Sequence, residues 1–206
     1  VLVRRDPYAL SYGDSHLAAC KVMAKDTFAW KDASWIAQRK QRKDPATNLS
    51  IYTLKAEDIP VGEGELFENS CKEMISRLLK LSYPHIKIVG LWETIGHKPY
   101  PVKGFLAVKE SLLAASALKK FVNLCHKNNI GVLTELAIAY FGNDESGLAY
   151  FDGTHLYEHA DARKGYHSYF DACLFQYRTP QVQSLLYTSL RFLLDEFHLD
   201  GFVWMD

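Results

Sequence analysis

The sequence lacks three features that would each indicate a particular class of protein. It has no excess of charge, because 24 basic and 24 acidic side chains among its 206 residues give a formal charge of zero, whereas nucleic-acid-binding domains normally show a basic excess. It has no apolar run close to the ~20 residues of a membrane helix, since Glu135 interrupts the longest candidate, 130–141. It also has no closely spaced cysteines. We therefore expect neither a nucleic-acid partner nor a membrane span.

The cysteines Cys20, Cys71, Cys125 and Cys173 lie far apart in the sequence. Zinc sites and redox motifs need close pairs, and disulfide-stapled domains need more cysteine per residue. We expect buried or unreactive thiols in a reducing cytosol, with no metal and no cofactor. The opening residues do not resemble a signal peptide, which also favours a cytoplasmic location.

Residues 1–49 have no regular hydrophobic period, and we interpret them as an irregular arm. The aromatic side chains Phe28, Trp30 and Trp35 would anchor this arm against a folded body. The short basic cluster at 39–43 is interpreted as a solvated linker.

From residue 50 the hydrophobic pattern becomes regular and alternates between strands and helices. Alternating or continuous apolar segments predict strands, and apolar residues three or four positions apart predict helices. The predicted strands are 50–54, 85–92, 130–138 and 201–205, and the predicted helices are 66–79, 111–127 and 181–197. A long polar and aromatic loop, 142–179, separates the third strand from the last helix.

This order of elements implies parallel strands joined by right-handed crossovers. Two architectures fit it, a doubly wound sheet and the first half of an eight-stranded barrel. The candidate phosphate turn has only Gly62 and Gly64, followed by acidic residues, which disfavours a nucleotide site. The long third loop fits a barrel, whose sites are built from such loops. We predict an α/β fold with about four β/α units of a TIM-type (β/α)8 barrel over 50–206, preceded by the arm 1–49.

The segment 155–159 matches the H-x-x-E-H pattern of zinc peptidases. That chemistry needs His155 and His159 on one face of a helix, with Glu158 as base. The flanking residues are typical of turns, so we expect a polar loop and no bound zinc.

The same loop resembles a known family. Residues 150–159 and 165–167 closely resemble the loop after the third barrel strand in bacterial-type glycogen branching enzymes, which belong to the α-amylase superfamily. Weaker similarities lie at 6–10, 50–52, 100–107 and 199–202, at the exit from the family's N-terminal carbohydrate-binding module and along the first barrel strands. The resemblance thus extends over nearly the whole chain.

The resemblance implies an activity and its requirements. Branching enzymes cleave an α-1,4-glucan and rejoin it through an α-1,6 bond with retention at the anomeric carbon. Retention uses an aspartate nucleophile and a glutamic acid roughly 5–5.5 Å apart. An arginine beside the nucleophile keeps it ionised, and the acid and a further aspartate belong to strands that follow the segment matched here.

Several family positions are occupied by other residues in this chain. The aspartate of strand three falls on Glu135, and the histidine five positions later falls on Tyr140. In strand four, aligned without gaps, the arginine falls on Val203 and the nucleophile on Met205. A one-residue insertion would place Asp206 at the nucleophile position. The resemblance therefore implies that no catalytic residue is intact.

Three residues remain as candidate substrate-binding residues, namely Tyr100, Glu135 and Tyr140. Tyr100 matches the tyrosine that stacks on the reacting sugar, although Pro99 precedes it where the family has glycine. The structural alternatives are a strand-end charge paired with a loop for Glu135 and aromatic packing at the barrel rim for both tyrosines.

Three hypotheses of function follow. The chain is a degenerate form that holds α-glucan without turning it over, or a piece of an active enzyme whose second barrel half supplies the chemistry, or a barrel-derived scaffold that binds another protein. The losses in two separate strands favour the first over the second.

Overall fold

The computed structural model describes residues 3–12, 19–24, 27–41, 49–94, 101–136 and 138–204. The strands are β1 (Ile51–Lys55), β2 (His85–Val89), β3 (Gly131–Leu136), β4 (Tyr140–Gly142), β5 (Tyr166–His167), β6 (Ala172–Leu174) and β7 (Gly201–Trp204). The helices are α1 (Ala33–Gln41), α2 (Gly64–Lys80), α3 (Glu110–Leu113), α4 (Ala117–Lys127), α5 (Ala162–Gly165) and α6 (Pro180–Glu196).

A four-stranded parallel sheet forms the centre of the molecule. Its strands lie in the order β1, β2, β3, β7, and each neighbouring pair is parallel. The apolar faces of α2, α4 and α6 cover it, as the hydrophobic pattern predicts. The predicted succession of parallel β/α units is therefore confirmed.

The structure corrects the ends of two predicted elements. The strand predicted over 85–92 ends at Val89, because Gly90 follows with φ of +71°. The helix predicted over 111–127 begins at Ala117, since Ala115 and Ser116 both have positive φ and interrupt the helical path. Left-handed backbone is costly for residues with a Cβ, so these two residues separate α3 from α4.

The long loop of 142–179, together with the two residues before it, contains structure that the sequence did not predict. Strands β4, β6 and β5 form a small antiparallel sheet in that order. The strands have two or three residues each, which is too short for a hydrophobic period to be visible. This second sheet stands beside the carboxyl ends of the parallel strands, because β4 follows β3 after only three residues.

The arm is more ordered than its sequence indicates. It contains α1, whose Trp35 is buried, and the solvated-linker interpretation is wrong for Arg39. The Arg39 guanidinium donates to the Asp200 carboxylate at 2.9 Å and to the Leu199 carbonyl at 3.0 Å. Lys40 is exposed near the end of α1, as expected, and Arg42 and Lys43 lie outside the described residues.

Burial of the cysteines agrees with the expectation of unreactive thiols, except for Cys20, which is exposed. Burial raises the pKa of the Cys71 and Cys173 thiols to about 11. Among the described residues, no helix combines the length and the apolar character needed to cross a membrane.

Candidate functional site

The candidate site lies at the carboxyl ends of the parallel strands. In barrel folds these ends and the loops that follow them carry the functional residues, because the strands bring several loops to one face. Glu135 stands near the end of β3, and Tyr140 is the first residue of β4.

Glu135 is a buried carboxylate with a backbone partner. Its side chain is only 7% exposed, and its Oε1 accepts a hydrogen bond from the Gly90 backbone N–H at 3.2 Å. A buried charge is tolerated only with such partners. In the parallel pairing of β3 with β7, the residue that lies opposite Glu135 is Val203.

Tyr140 is also buried and lies within electrostatic range of Glu135. Burial raises the pKa of its hydroxyl, and the negative charge of Glu135 raises it further. The ring stacks on Phe170, with centroids 5.1 Å apart and planes 15° from parallel. The structure therefore brings two of the three candidate residues together, at the junction of the parallel and antiparallel sheets.

The remaining positions singled out in the sequence add no polar group to this site among the described residues. Val203 is half-buried, and its apolar side chain has no group that could donate, accept or transfer a proton. Tyr100, Met205 and Asp206 lie outside the described residues. The roles of Tyr100, Glu135 and Tyr140 as substrate-binding residues thus stay predictions.

The H-x-x-E-H segment is an irregular loop in which the two histidines have different partners. Glu158 is buried, and its Oε1 accepts hydrogen bonds from the Tyr150 N–H at 3.0 Å and from His155 Nδ1 at 3.2 Å. His159 Nδ1 instead accepts from the Gln176 side-chain amide at 2.9 Å. No group of three or more His, Cys, Asp or Glu side chains is arranged to hold a metal ion within the described part of the chain.

A second polar cluster, which the sequence did not predict, lies at the amino ends of β3 and β7. His126, at the end of α4, has its two ring nitrogens 2.8 Å from Asp32 Oδ2 and 3.0 Å from Asp200 Oδ2. The His126 ring is therefore held between two carboxylates, one at each ring nitrogen. We call Asp32, His126 and Asp200 the basal triad.

The basal triad attaches the arm to the sheet. Asp200 Oδ1 accepts from the Trp35 indole N–H at 2.8 Å, and Asp200 Oδ2 from the Val132 N–H at 2.7 Å. Burial by itself would raise the pKa of both carboxyls, yet the pKa of each lies below its usual range. For Asp32 the cause is the hydrogen bonds from His198 and His126, and for Asp200 it is chiefly the hydrogen bond from His126. No sequence signal indicates this cluster, because its members are 74 and 94 residues apart.

Comparison with known proteins relates the whole chain to one family. It is 34% identical over 211 residues to the 1,4-alpha-glucan branching enzyme GlgB of Nitrosospira multiformis, covering 98% of this chain and 28% of that enzyme. The enzyme of the same description from Nitrosomonas europaea is 32% identical over 206 residues, with the same two coverages. The chain thus spans less than a third of the length of these curated relatives. No protein-family model matches it.

Solved structures share the fold. An alpha amylase candidate from Salmonella typhimurium superposes with a TM-score of 0.69 at 15% identity, over 98% of this chain and 32% of that one. The noncanonic maltogenic alpha-amylase AmyB from Thermotoga neapolitana gives 0.56 at 18% identity, over 75% and 38%. At such identities the similarity concerns the fold, and it confirms the partial α-amylase-type barrel.

Proposed function

Because this chain is homologous to one segment of the 1,4-α-glucan branching enzymes of the α-amylase superfamily, we propose that it binds α-glucan at the carboxyl ends of its strands without cleaving it. Residues 1–49 would follow a carbohydrate-binding module, and residues 50–206 would be the first part of the barrel. The observation that carries the proposal is the pairing of Glu135 with Val203, where the family has an aspartate and an arginine.

The geometry around Glu135 supports sugar binding. Its carboxylate has acceptor capacity beyond the hydrogen bond from Gly90, and carboxylates are strong acceptors for hydroxyl donors. Tyr140 adds an aromatic ring and a hydroxyl beside it. A pyranose ring, with apolar C–H faces and hydroxyls at its edge, suits an aromatic side chain near a polar acceptor, and the exposed ring here is that of Phe170, which covers the buried Tyr140.

The site lacks side chains that glucan transfer requires. Retaining transfer needs a nucleophilic carboxylate and an acid flanking the bond, and Val203 and Met205 provide neither the nucleophile nor the arginine that would keep it ionised. Loss of a nucleophile alone can cost roughly 10⁴–10⁶ in rate, by analogy with other hydrolases. Binding does not depend on these groups.

A second candidate function is a scaffold for another polypeptide, and the edges of the sheet favour it. Among the described residues, β1 and β7 each pair on one side only. The free backbone groups of such edges pair readily with a further strand. A second barrel half would meet this requirement, and so would an unrelated protein partner.

The proposal can be tested by two assays run side by side. Affinity electrophoresis in gels containing glycogen measures binding, and an iodine-stain assay on amylose measures branching. We expect retarded migration without branching, both for the parent chain and for the double variant Val203→Arg with Met205→Asp, because neither introduced side chain supplies the acid that retaining transfer also needs.

Two results would contradict the proposal. Unretarded migration of the parent chain would remove the glucan-binding role and leave the scaffold. Measurable branching by the parent would mean that Asp206 occupies the nucleophile position and that strand four is aligned with an insertion.

A further inference from the structure

A cleft of about 510 Å³ lies between the arm and the helices α2 and α4. The described residues that line it come from 28–31 of the arm, from 64–72 of α2 and from 120–127 of α4. None of them belongs to the candidate site at the strand ends or to the basal triad. The volume is within the range of sites that hold a small organic molecule.

Basic side chains predominate among the charged groups of this cleft. Its described lining contains one acidic side chain, that of Glu68, and the lysines Lys31, Lys72, Lys120 and Lys127. Two of the ammonium groups have a carboxylate nearby, since Lys72 lies 3.5 Å from Glu68 and Lys120 lies 3.7 Å from Glu63. Both pairs reach solvent, where an ion pair contributes little by itself. For the ammonium groups of Lys31 and Lys127, no ion-pair partner lies among the described residues.

A nearly buried amide adds a hydrogen-bond donor to the same wall. Asn123 lines the cleft and is only 9% exposed. Its Oδ1 accepts a hydrogen bond from the Lys31 backbone N–H at 2.8 Å, which fixes the orientation of the amide. Its Nδ2 group donates to no atom of the described residues, whereas buried polar groups normally have partners. A ligand with acceptor oxygens would supply the missing partner.

The spacing along α4 brings these donors together. Lys120 precedes Asn123 by three residues and Lys127 follows it by four. Residues three and four apart are neighbours on one face of a helix. The hydrogen bond from the Lys31 backbone to Asn123 adds the arm to this group. Donors from two elements of the chain therefore converge on one cleft.

Apolar side chains complete the wall, namely Phe28, Phe67, Cys71 and Leu124. The ring of Phe28 is half-buried and stands edge-on to that of Trp30, with centroids 5.0 Å apart. Burial raises the pKa of the Cys71 thiol to about 11, so this group adds no charge to the cleft at neutral pH. A ligand that suits the whole wall has an apolar or aromatic part in addition to an anionic one.

We propose that this cleft, which we call the lysine cleft, binds a small organic phosphate. The phosphate oxygens accept from the ammonium groups of Lys31 and Lys127 and from the Nδ2 group of Asn123, because charged and amide N–H donors are suited to phosphate. The apolar part of the ligand lies against Phe28 and Leu124. A nucleoside diphosphate combines the two parts. The site goes beyond the proposed glucan site, with which it shares no residue.

Isothermal titration calorimetry with adenosine diphosphate (ADP) tests the proposal on the whole chain, and three variants isolate the cleft. Asn123→Asp keeps an acceptor for the Lys31 N–H but replaces the unused donor with a carboxylate oxygen. Lys127→Gln removes an exposed ammonium group. Lys80→Gln is the matched control, because Lys80 is an exposed lysine in the last turn of α2 and does not line the cleft. The melting temperature of each variant reports whether its fold is retained.

We expect the parent to bind ADP and Lys127→Gln to raise the dissociation constant about threefold to tenfold, which is the effect of losing one charge-assisted contact. Asn123→Asp should raise it more than about tenfold, because the new carboxylate oxygen repels the phosphate. Lys80→Gln should bind ADP as the parent does. Inorganic phosphate should bind more weakly than ADP, since it has no apolar part.

Three results would overturn the inference. Absence of saturable ADP binding to the parent would remove the site. Equal dissociation constants for the parent and Lys127→Gln would place ADP elsewhere on the chain, and this variant decides the question even if Asn123→Asp lowers the melting temperature. Inorganic phosphate that binds as tightly as ADP would exclude an organic ligand. No glucan takes part in these measurements, so their failure is distinct from a failure of the proposed function.

Discussion

The two ends of the parallel sheet differ in how their buried polar groups are partnered. At the amino ends, His126 uses both ring nitrogens and Asp200 accepts from the arm, from α4 and from β3. At the carboxyl ends, Glu158 Oε2 is buried with no hydrogen-bond partner in the described residues, and aromatic rings face solvent. Satisfied buried groups hold a fold together, whereas unused hydrogen-bonding capacity is what a ligand can occupy. The amino ends therefore stabilise the fold, and the carboxyl ends keep the free hydrogen-bonding capacity that the proposed binding role requires.

The largest effect is expected from Asp200→Ala at the amino ends. This change leaves the His126 ring with a single carboxylate partner and removes the acceptor of the Trp35 indole. Breaking a buried charged cluster costs about 3–5 kcal/mol of unfolding free energy. Urea unfolding followed by far-UV circular dichroism measures the difference.

Asp195→Ala is the matched control for Asp200→Ala. Asp195 pairs with Arg191 on the surface of α6, and both side chains are 60% exposed. We expect almost no change in unfolding free energy, because exposed ion pairs contribute little. Equal effects of the two substitutions would show that the basal triad does not stabilise the fold.

A smaller effect, which shrinks at acid pH, is expected from Asp32→Asn. The pKa of Asp32 is lower in the folded chain than its ordinary value of 3.8, so ionised Asp32 stabilises the fold above about pH 4, and this stability is lost as the pH falls through the folded pKa. At pH 6 the variant should be less stable by about 1.5–3 kcal/mol, the range for hydrogen bonds to charged groups.

The pH dependence separates charge from packing at Asp32. Below pH 4 the stability difference between parent and Asp32→Asn should shrink, since protonated Asp32 also lacks the charge. Unfolding free energies measured at intervals between pH 6 and pH 2.5 would reveal this. A difference that stays constant over the series would mean that the Asp32 carboxylate has the same pKa folded and unfolded.

The parts of the molecule that could be predicted from the sequence are those that depend on local patterns. The parallel sheet follows from the sequence because each strand and helix has its own hydrophobic period, as the stripe of Phe67, Cys71, Ile75 and Leu78 in α2 illustrates. The basal triad could not be predicted, because its hydrogen bonds join residues from the arm, α4 and the start of β7. Nothing local in the sequence indicates such pairs.

The candidate site was only partly predictable for a related reason. Glu135 and Tyr140 are found by resemblance to a family motif, and they come together because one short segment separates β3 from β4. The stacking of Phe170 on Tyr140 depends on a hairpin of very short strands, which no hydrophobic period in the sequence indicates. Residues 168–171 were expected to be part of an undivided loop.

At the carboxyl ends, Gly90→Ala tests the backbone support of Glu135. Gly90 has φ of +71°, and an added Cβ would meet only the Lys109 ammonium, at 3.9 Å. We therefore expect a loss of about 1–2 kcal/mol from left-handed backbone strain alone. Unfolding in urea gives the value.

Gly90→Asn provides the control, because asparagine tolerates this backbone region better than alanine although it is larger. Strain predicts that the asparagine variant is the more stable of the two. The opposite order would indicate that crowding near Lys109, and not the backbone, makes glycine necessary at this position.

The smallest effect is expected from Tyr177→Phe, also at the carboxyl ends. The Tyr177 hydroxyl donates to the Ile138 carbonyl at 2.9 Å, just after β3, and the residue is half exposed. A single hydrogen bond contributes about 0.5–1.5 kcal/mol, and here water can reach the carbonyl when the hydroxyl is removed. We expect a loss near the lower end of that range in urea unfolding, with glycogen binding unchanged. A loss as large as that of Asp200→Ala would contradict the contrast between the two ends, because it would place a stabilising polar contact at the end of the sheet assigned to binding.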